Sequence, residues 1–218
     1  MELGFIHRYL PPADPSSSTT LLLLHGTGGD ESDMIPLGRV LSPGAAILSP
    51  RGKILENGMP RFFRRLAEGV FDIEDVKLRA GELAAFIQAA AARYEFEISN
   101  VVAVGFSNGA NIAAAVLLLR PGLLTRAILL RPMVPFEPEK PVNLAGTAVF
   151  MGAGRRDPIV PTENTERLAG MLRAFGARVS LEWSDSGHAL VEREIVAARD
   201  WLGGRATTSQ EGSSGESF

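Results

Sequence analysis

The sequence contains no cysteine. That excludes disulfides, thiolate metal sites and a cysteine nucleophile together, and it fits a reducing compartment. Histidine is scarce, with 3 in the chain, so any imidazole chemistry rests with His7, His25 or His188. Neither sign of charge dominates: the formal net charge is -3, which provides no electrostatic pull toward nucleic acid or an anionic membrane. Long hydrophobic runs are also missing. The stretches Leu21 to Leu24 and Ala113 to Leu119 are far too short to span a bilayer. Met1 to Phe5 has neither the basic nor the apolar region of a signal peptide. A cytoplasmic address is the resulting expectation. No His, Asp and Glu cluster has metal-ligand spacing, and no cofactor motif appears, so no metal and no cofactor are expected.

What the chain does contain is a regular alternation. Its 218 residues, 45% of them hydrophobic, suit one domain with a sizeable core, expected over 1–202. From Gly203 to Phe218, Ser, Gly, Thr and Glu dominate, the composition of a disordered tail. Short apolar runs suited to strands fall at Phe5 to Leu10, Thr19 to Leu24, Ala45 to Leu48, Val101 to Phe106, Arg126 to Leu130, Thr147 to Met151 and Arg178 to Trp183. Helical periodicity runs from Asp72, a capping residue, to Tyr94, and over Asn108 to Leu119, Thr162 to Ala174 and Val191 to Leu202. A further helix is expected to start on Asp30, Ser32 and Asp33. The pattern predicts an α/β protein with a parallel sheet covered by helices. The Arg51 to Phe71 connection is long for a loop without structure, and such loops tend to be functional.

Gly105-Phe106-Ser107-Asn108-Gly109 matches G-x-S-x-G where a buried strand meets a helix. The turn exposes the serine hydroxyl, and the flanking glycines let neighbouring chain approach closely. A hydroxyl needs a base tuned near neutrality. His7 lies in the first strand and His25 in a glycine-rich turn that an imidazole would brace. His188, after the last strand, has the place of the base. The orienting acid should lie between them on a loop after a strand, where Asp157 fits better than Asp185, which shares a loop with His188. The backbone N–H groups of Thr27, in His25-Gly26-Thr27-Gly28-Gly29, and of Asn108 are the expected oxyanion donors. That glycine turn lacks the spacing of a nucleotide loop. Phe62, Phe63, Phe71, Met133 and Phe136 fall in connections that can wall a substrate pocket, although a core role would suit most of them equally. Arg61, Arg64, Arg65 and Glu68 read as a solvated helical face, with a grip on a polar substrate as the alternative.

These residues resemble the phospholipase/carboxylesterase family of small α/β-hydrolases, which includes the acyl-protein thioesterases. The bacterial carboxylesterase branch, related to dienelactone-hydrolase-like proteins, is the most similar. The matching stretches are Leu24-His25-Gly26-Thr27-Gly28-Gly29-Asp30, Arg61-Phe62-Phe63-Arg64-Arg65, Gly105 to Asn111, Arg131-Pro132-Met133-Val134-Pro135, Gly154 to Asp157 and Ser186-Gly187-His188. The resemblance implies the α/β-hydrolase fold, a mostly parallel sheet of about seven strands with helices on both faces and no large lid domain. It also implies cofactor-free hydrolysis of short-chain or aryl carboxylic esters through an acyl-enzyme, with Ser107, Asp157 and His188 as the triad. A small-molecule ester is then the partner, and a homodimer is compatible. The thioesterase branch carries Gln where this chain has Asn108, and true dienelactone hydrolases use a cysteine that is absent here. Thioesterase or lysophospholipase activity, or a non-catalytic receptor built on the same cavity, are the competing readings.

Overall fold

The computed structural model describes residues 3–205. The expected tail therefore lies, from position 206 onward, outside the described residues. In chain order the elements are β1 (His7–Leu10), β2 (Thr20–Leu24), α1 (Ile35–Leu41), β3 (Ala46–Pro50), β4 (Ile54–Glu56), β5 (Met59–Arg61), β6 (Arg65–Ala67) and β7 (Val70–Phe71). There follow α2 (Ile73–Tyr94), β8 (Val101–Phe106), α3 (Asn108–Leu119), β9 (Arg126–Leu130), β10 (Ala148–Gly154), α4 (Thr162–Ala174), β11 (Arg178–Ser184) and α5 (Glu192–Leu202).

Seven of the strands form one sheet in the order β1-β3-β2-β8-β9-β10-β11. All pairs are parallel except β1 with β3. The uniform leucines of β2 follow from burial on both faces of a parallel sheet. Leu22 and Leu24 enter a core shared with α2, α3 and α4. Leu21 and Leu23 point to the opposite face, where residues of α1 and α5 pack. The fold is that of an α/β-hydrolase, with no large lid domain among the described residues, and none of the described helices is long and apolar enough to cross a membrane.

Two segments depart from expectation. Helix α1 begins at Ile35 rather than at Asp30. Asp30 and Asp33 instead satisfy turn amides, Asp30 Oδ1 accepting from Ser32 N–H at 2.7 Å and Asp33 Oδ2 from Asp30 N–H at 3.2 Å. Pro36 sits in the first turn, where its missing N–H costs nothing. The 51–71 connection is not a loop but two hairpins, β4–β5 and β6–β7. Glu56 pairs with Met59 across Asn57 and Gly58, whose φ angles are 52° and 79°. Both positive values suit the Asn-Gly turn that follows the twist of two strands. Arg61 and Arg65 are therefore strand residues, and the expected helical face does not exist.

Candidate active site

The parallel strands end at one edge of the sheet, and five of them contribute a residue one to four positions beyond their last. Ser107 follows β8, Arg131 follows β9, Asp157 and His188 lie in the connections after β10 and β11, and Thr27 lies after β2. Such an edge is where open α/β sheets bind ligands.

Ser107 has φ 51° and ψ -114°, a strained conformation for a residue with a Cβ. It is held there by its N–H donating to the Leu130 carbonyl at 2.8 Å and its carbonyl accepting from Asn111 N–H at 3.0 Å. The flanking glycines are sterically required. A Cβ on Gly105 would collide with the backbone of Gly109, and one on Gly109 with the carbonyl of Leu24. The serine hydroxyl lies 3.0 Å from His188 Nε2. His188 Nδ1 lies 2.8 Å from Asp157 Oδ2. The sequence separations are 81 and 31 residues, so only the tertiary fold brings the three together.

Asp157 divides its oxygens between two tasks. Oδ2 faces the imidazole, while Oδ1 accepts from the Ile159 and Val160 amides at 2.8 and 3.1 Å. The side chain is 1% exposed. Asp185, by contrast, is 78% exposed and pairs with Arg156 at 3.1 Å. The other two histidines are placed elsewhere. His7 bonds the Tyr94 hydroxyl and the Phe5 carbonyl, both at 2.7 Å. His25 donates Nδ1–H to the Gly26 carbonyl at 2.6 Å and accepts Gly52 N–H at Nε2 at 2.9 Å. Burial pushes its pKa down from 6.5, against the bond to the Gly26 carbonyl and the nearby Asp33 and Asp30 carboxylates that push it up, and both ring nitrogens are spent in bracing the turn.

The N–H groups of Thr27 and Asn108 have no acceptor among the described residues. Both residues line a cleft of about 340 Å³ that also contains Ser107 and His188. Phe71 and Met133 line it as well. Phe62, Phe63 and Phe136 do not, and their expected place in the wall is corrected: they are 2%, 0% and 7% exposed within the hydrophobic core. Phe62 lies tilted against His25 and Phe63 meets Phe71 edge to face, at ring distances of 4.8 and 5.0 Å.

Several supporting contacts join residues far apart in the chain, and no local sequence pattern predicts them. Asn108 Oδ1 accepts from Phe62 N–H, and Asn111 Oδ1 from Met133 N–H, both at 2.7 Å, so the first turn of α3 fastens two walls of the cleft. Arg131 is 1% exposed, with φ 57°. Its guanidinium forms a two-pronged pair with buried Glu194, at 2.6 and 2.7 Å. It also donates to the Gly187 carbonyl at 3.0 Å, Ser186 Oγ at 3.0 Å and the Ala189 carbonyl at 2.8 Å. These bonds bracket His188 on both sides. Arg131 Nε is also 3.8 Å from Asp157 Oδ2.

Sheet order, strained serine and converging imidazole and carboxylate define a protein of the α/β-hydrolase class. Residues 10–204 match the phospholipase/carboxylesterase family, and the chain belongs to it. It is 50% identical over 186 residues to a putative hydrolase, MhqD, of Bacillus subtilis, covering 85% of this chain and 93% of that one. The crystal structure of a Bacillus cereus carboxylesterase is 46% identical, with a TM-score of 0.87, covering 90% of this chain and 92% of that one. Atu2452 of Agrobacterium tumefaciens, described as of unknown function, is 40% identical with a TM-score of 0.82, covering 93% and 97%.

Proposed function

We propose that this hydrolase is a serine carboxylesterase acting on short-chain or aryl carboxylic esters through an acyl-enzyme. The observation that carries the reading is the unbroken chain from Ser107 Oγ to His188 Nε2 at 3.0 Å and from His188 Nδ1 to Asp157 Oδ2 at 2.8 Å. Ser107 attacks the ester carbonyl as His188 takes its proton. Asp157 fixes the imidazole tautomer and stabilises the imidazolium. The amides of Thr27 and Asn108 hold the oxyanion, whose stabilisation is worth several kcal/mol of barrier in such sites. His188 returns the proton to the leaving alcohol. Water then enters, loses a proton to His188 and attacks the acyl carbon, releasing the acid and restoring Ser107. No cofactor is needed, and the unit over 1–202 would carry the whole reaction.

The test is labelling with a fluorophosphonate alongside turnover of p-nitrophenyl acetate. The probe should attach to Ser107, and Ser107→Ala should lower kcat by about a million-fold, as removal of a triad serine can do. Near-normal turnover in that variant would overturn the assignment.

A further inference from the structure

The cleft has a cationic wall that acyl transfer to Ser107 does not use. Arg61 and Arg65, at the end of β5 and the start of β6, both line it. The Arg61 side chain is only 4% exposed. Its Nε donates to the Phe63 carbonyl at 3.3 Å and its Nη1 to Thr27 Oγ1 at 2.9 Å, with Glu56 3.2 Å from Nη1. Its Nη2 has no acceptor among the described residues. Arg65 directs Nε to the same Glu56, at 2.9 Å, and its two terminal nitrogens have no acceptor among the described residues. One carboxylate thus serves two guanidinium groups. Burial, and next the charge of Arg65, hold the Arg61 guanidinium below its ordinary pKa. Glu68 also lines the cleft, but it sits exposed in the β6–β7 turn, where water screens it. The other cation of the cleft, Arg131, is occupied by Glu194.

A buried guanidinium with unused donors beside a second cation is poorly compensated until an anion reaches it. A planar fork of this kind can grip a carboxylate through two parallel bonds. We propose that Arg61 and Arg65 form a carboxylate subsite, so that the preferred substrates are short esters carrying a second, free carboxylate, such as hemiesters of small dicarboxylic acids. The inference rests on the esterase reading of the same cleft. Because Arg61 also holds the Thr27 hydroxyl, an occupied subsite keeps the turn bearing one oxyanion donor in place.

The experiment compares kcat/KM within matched pairs that differ in one charge. Monomethyl succinate against methyl succinamate places the carboxylate on the acyl side, and O-acetylglycolate against O-acetylglycolamide places it on the alcohol side. In at least one pair the anionic ester should be favoured about tenfold or more, the scale of a charge-assisted bidentate contact. Arg65→Gln should bring that ratio toward one, mainly through KM. Arg65→Lys should keep part of it, and raising NaCl should erode it. Arg61→Gln should do the same as Arg65→Gln, and Arg65 keeps the test open if the Arg61 variant disturbs the Thr27 turn. Equal or better turnover of the neutral ester in both pairs, alongside normal p-nitrophenyl acetate hydrolysis, would overturn the subsite alone. Loss of all ester turnover by the wild type would instead sink the esterase reading.

Discussion

At Gly109 the first turn of α3 passes so close to β2 that a Cβ would strike the carbonyls of Leu24 and His25. Backbone cannot yield there as a flexible side chain would. Gly109→Ala should therefore cost about 3 kcal/mol or more of stability, measured by chemical denaturation. A wild-type midpoint would show that the turn can shift. His25 gives a second prediction at this scale, in pH. Its folded pKa lies below 6.5, so the unfolded chain binds the extra proton first as the pH falls. The stabilisation is complete above about 6.5 and is lost as the pH drops toward the lower folded value. Between pH 7.5 and 5 the wild type should lose more thermal stability than His25→Gln, and parallel Tm curves would contradict this.

Among the elements, the connection after β9 and the first turn of α5 are tied by Arg131 and Glu194. Arg131→Met leaves Glu194 buried without its cation and should cost about 3–5 kcal/mol. Adding Glu194→Met should recover much of that loss, because an apolar pair can replace a buried ion pair. Activity should not recover with it. The three bonds from Arg131 to Ser186, Gly187 and Ala189 that position His188 are absent in both variants. A double variant with full kcat would reduce the arginine to a stabilising role. The hairpins are the element on which the proposed carboxylate subsite depends, since β5 and β6 bring Arg61 and Arg65 into the cleft.

For the whole molecule, the proposed esterase activity in a cleft of about 340 Å³, without a large lid among the described residues, would favour small esters. Turnover of p-nitrophenyl esters should fall steeply from acetate or butyrate to laurate, with no jump in rate when the substrate forms micelles. A flat profile across chain length would mean that the acyl group extends outside the cleft. The strand and helix pattern was legible because each strand buried on both faces reads as a continuous apolar run, as in β2 and β8. Ser107 and His188 were legible because a strained turn needs its glycines and only three histidines compete. The hairpins were not, because Asn57-Gly58 joins strands of 3 residues each, too short to show alternation. The phenylalanines misled for a related reason: hydrophobicity says that a side chain leaves water, not whether it enters a core or a cleft.

The sequence by itself determined the order of the main-sheet strands and of the helices that cover them, and singled out Ser107, Asp157 and His188 as the candidates for acyl transfer, because backbone periodicity and strained turns are written in neighbouring residues. Tertiary structure alone decided that Arg131 would meet Glu194, 63 residues away. It likewise brought Asn108 to Phe62 and made two arginines share Glu56 at the cleft. Those contacts depend on how separate strands end at one edge of a sheet, a matter of register and packing that no local pattern encodes.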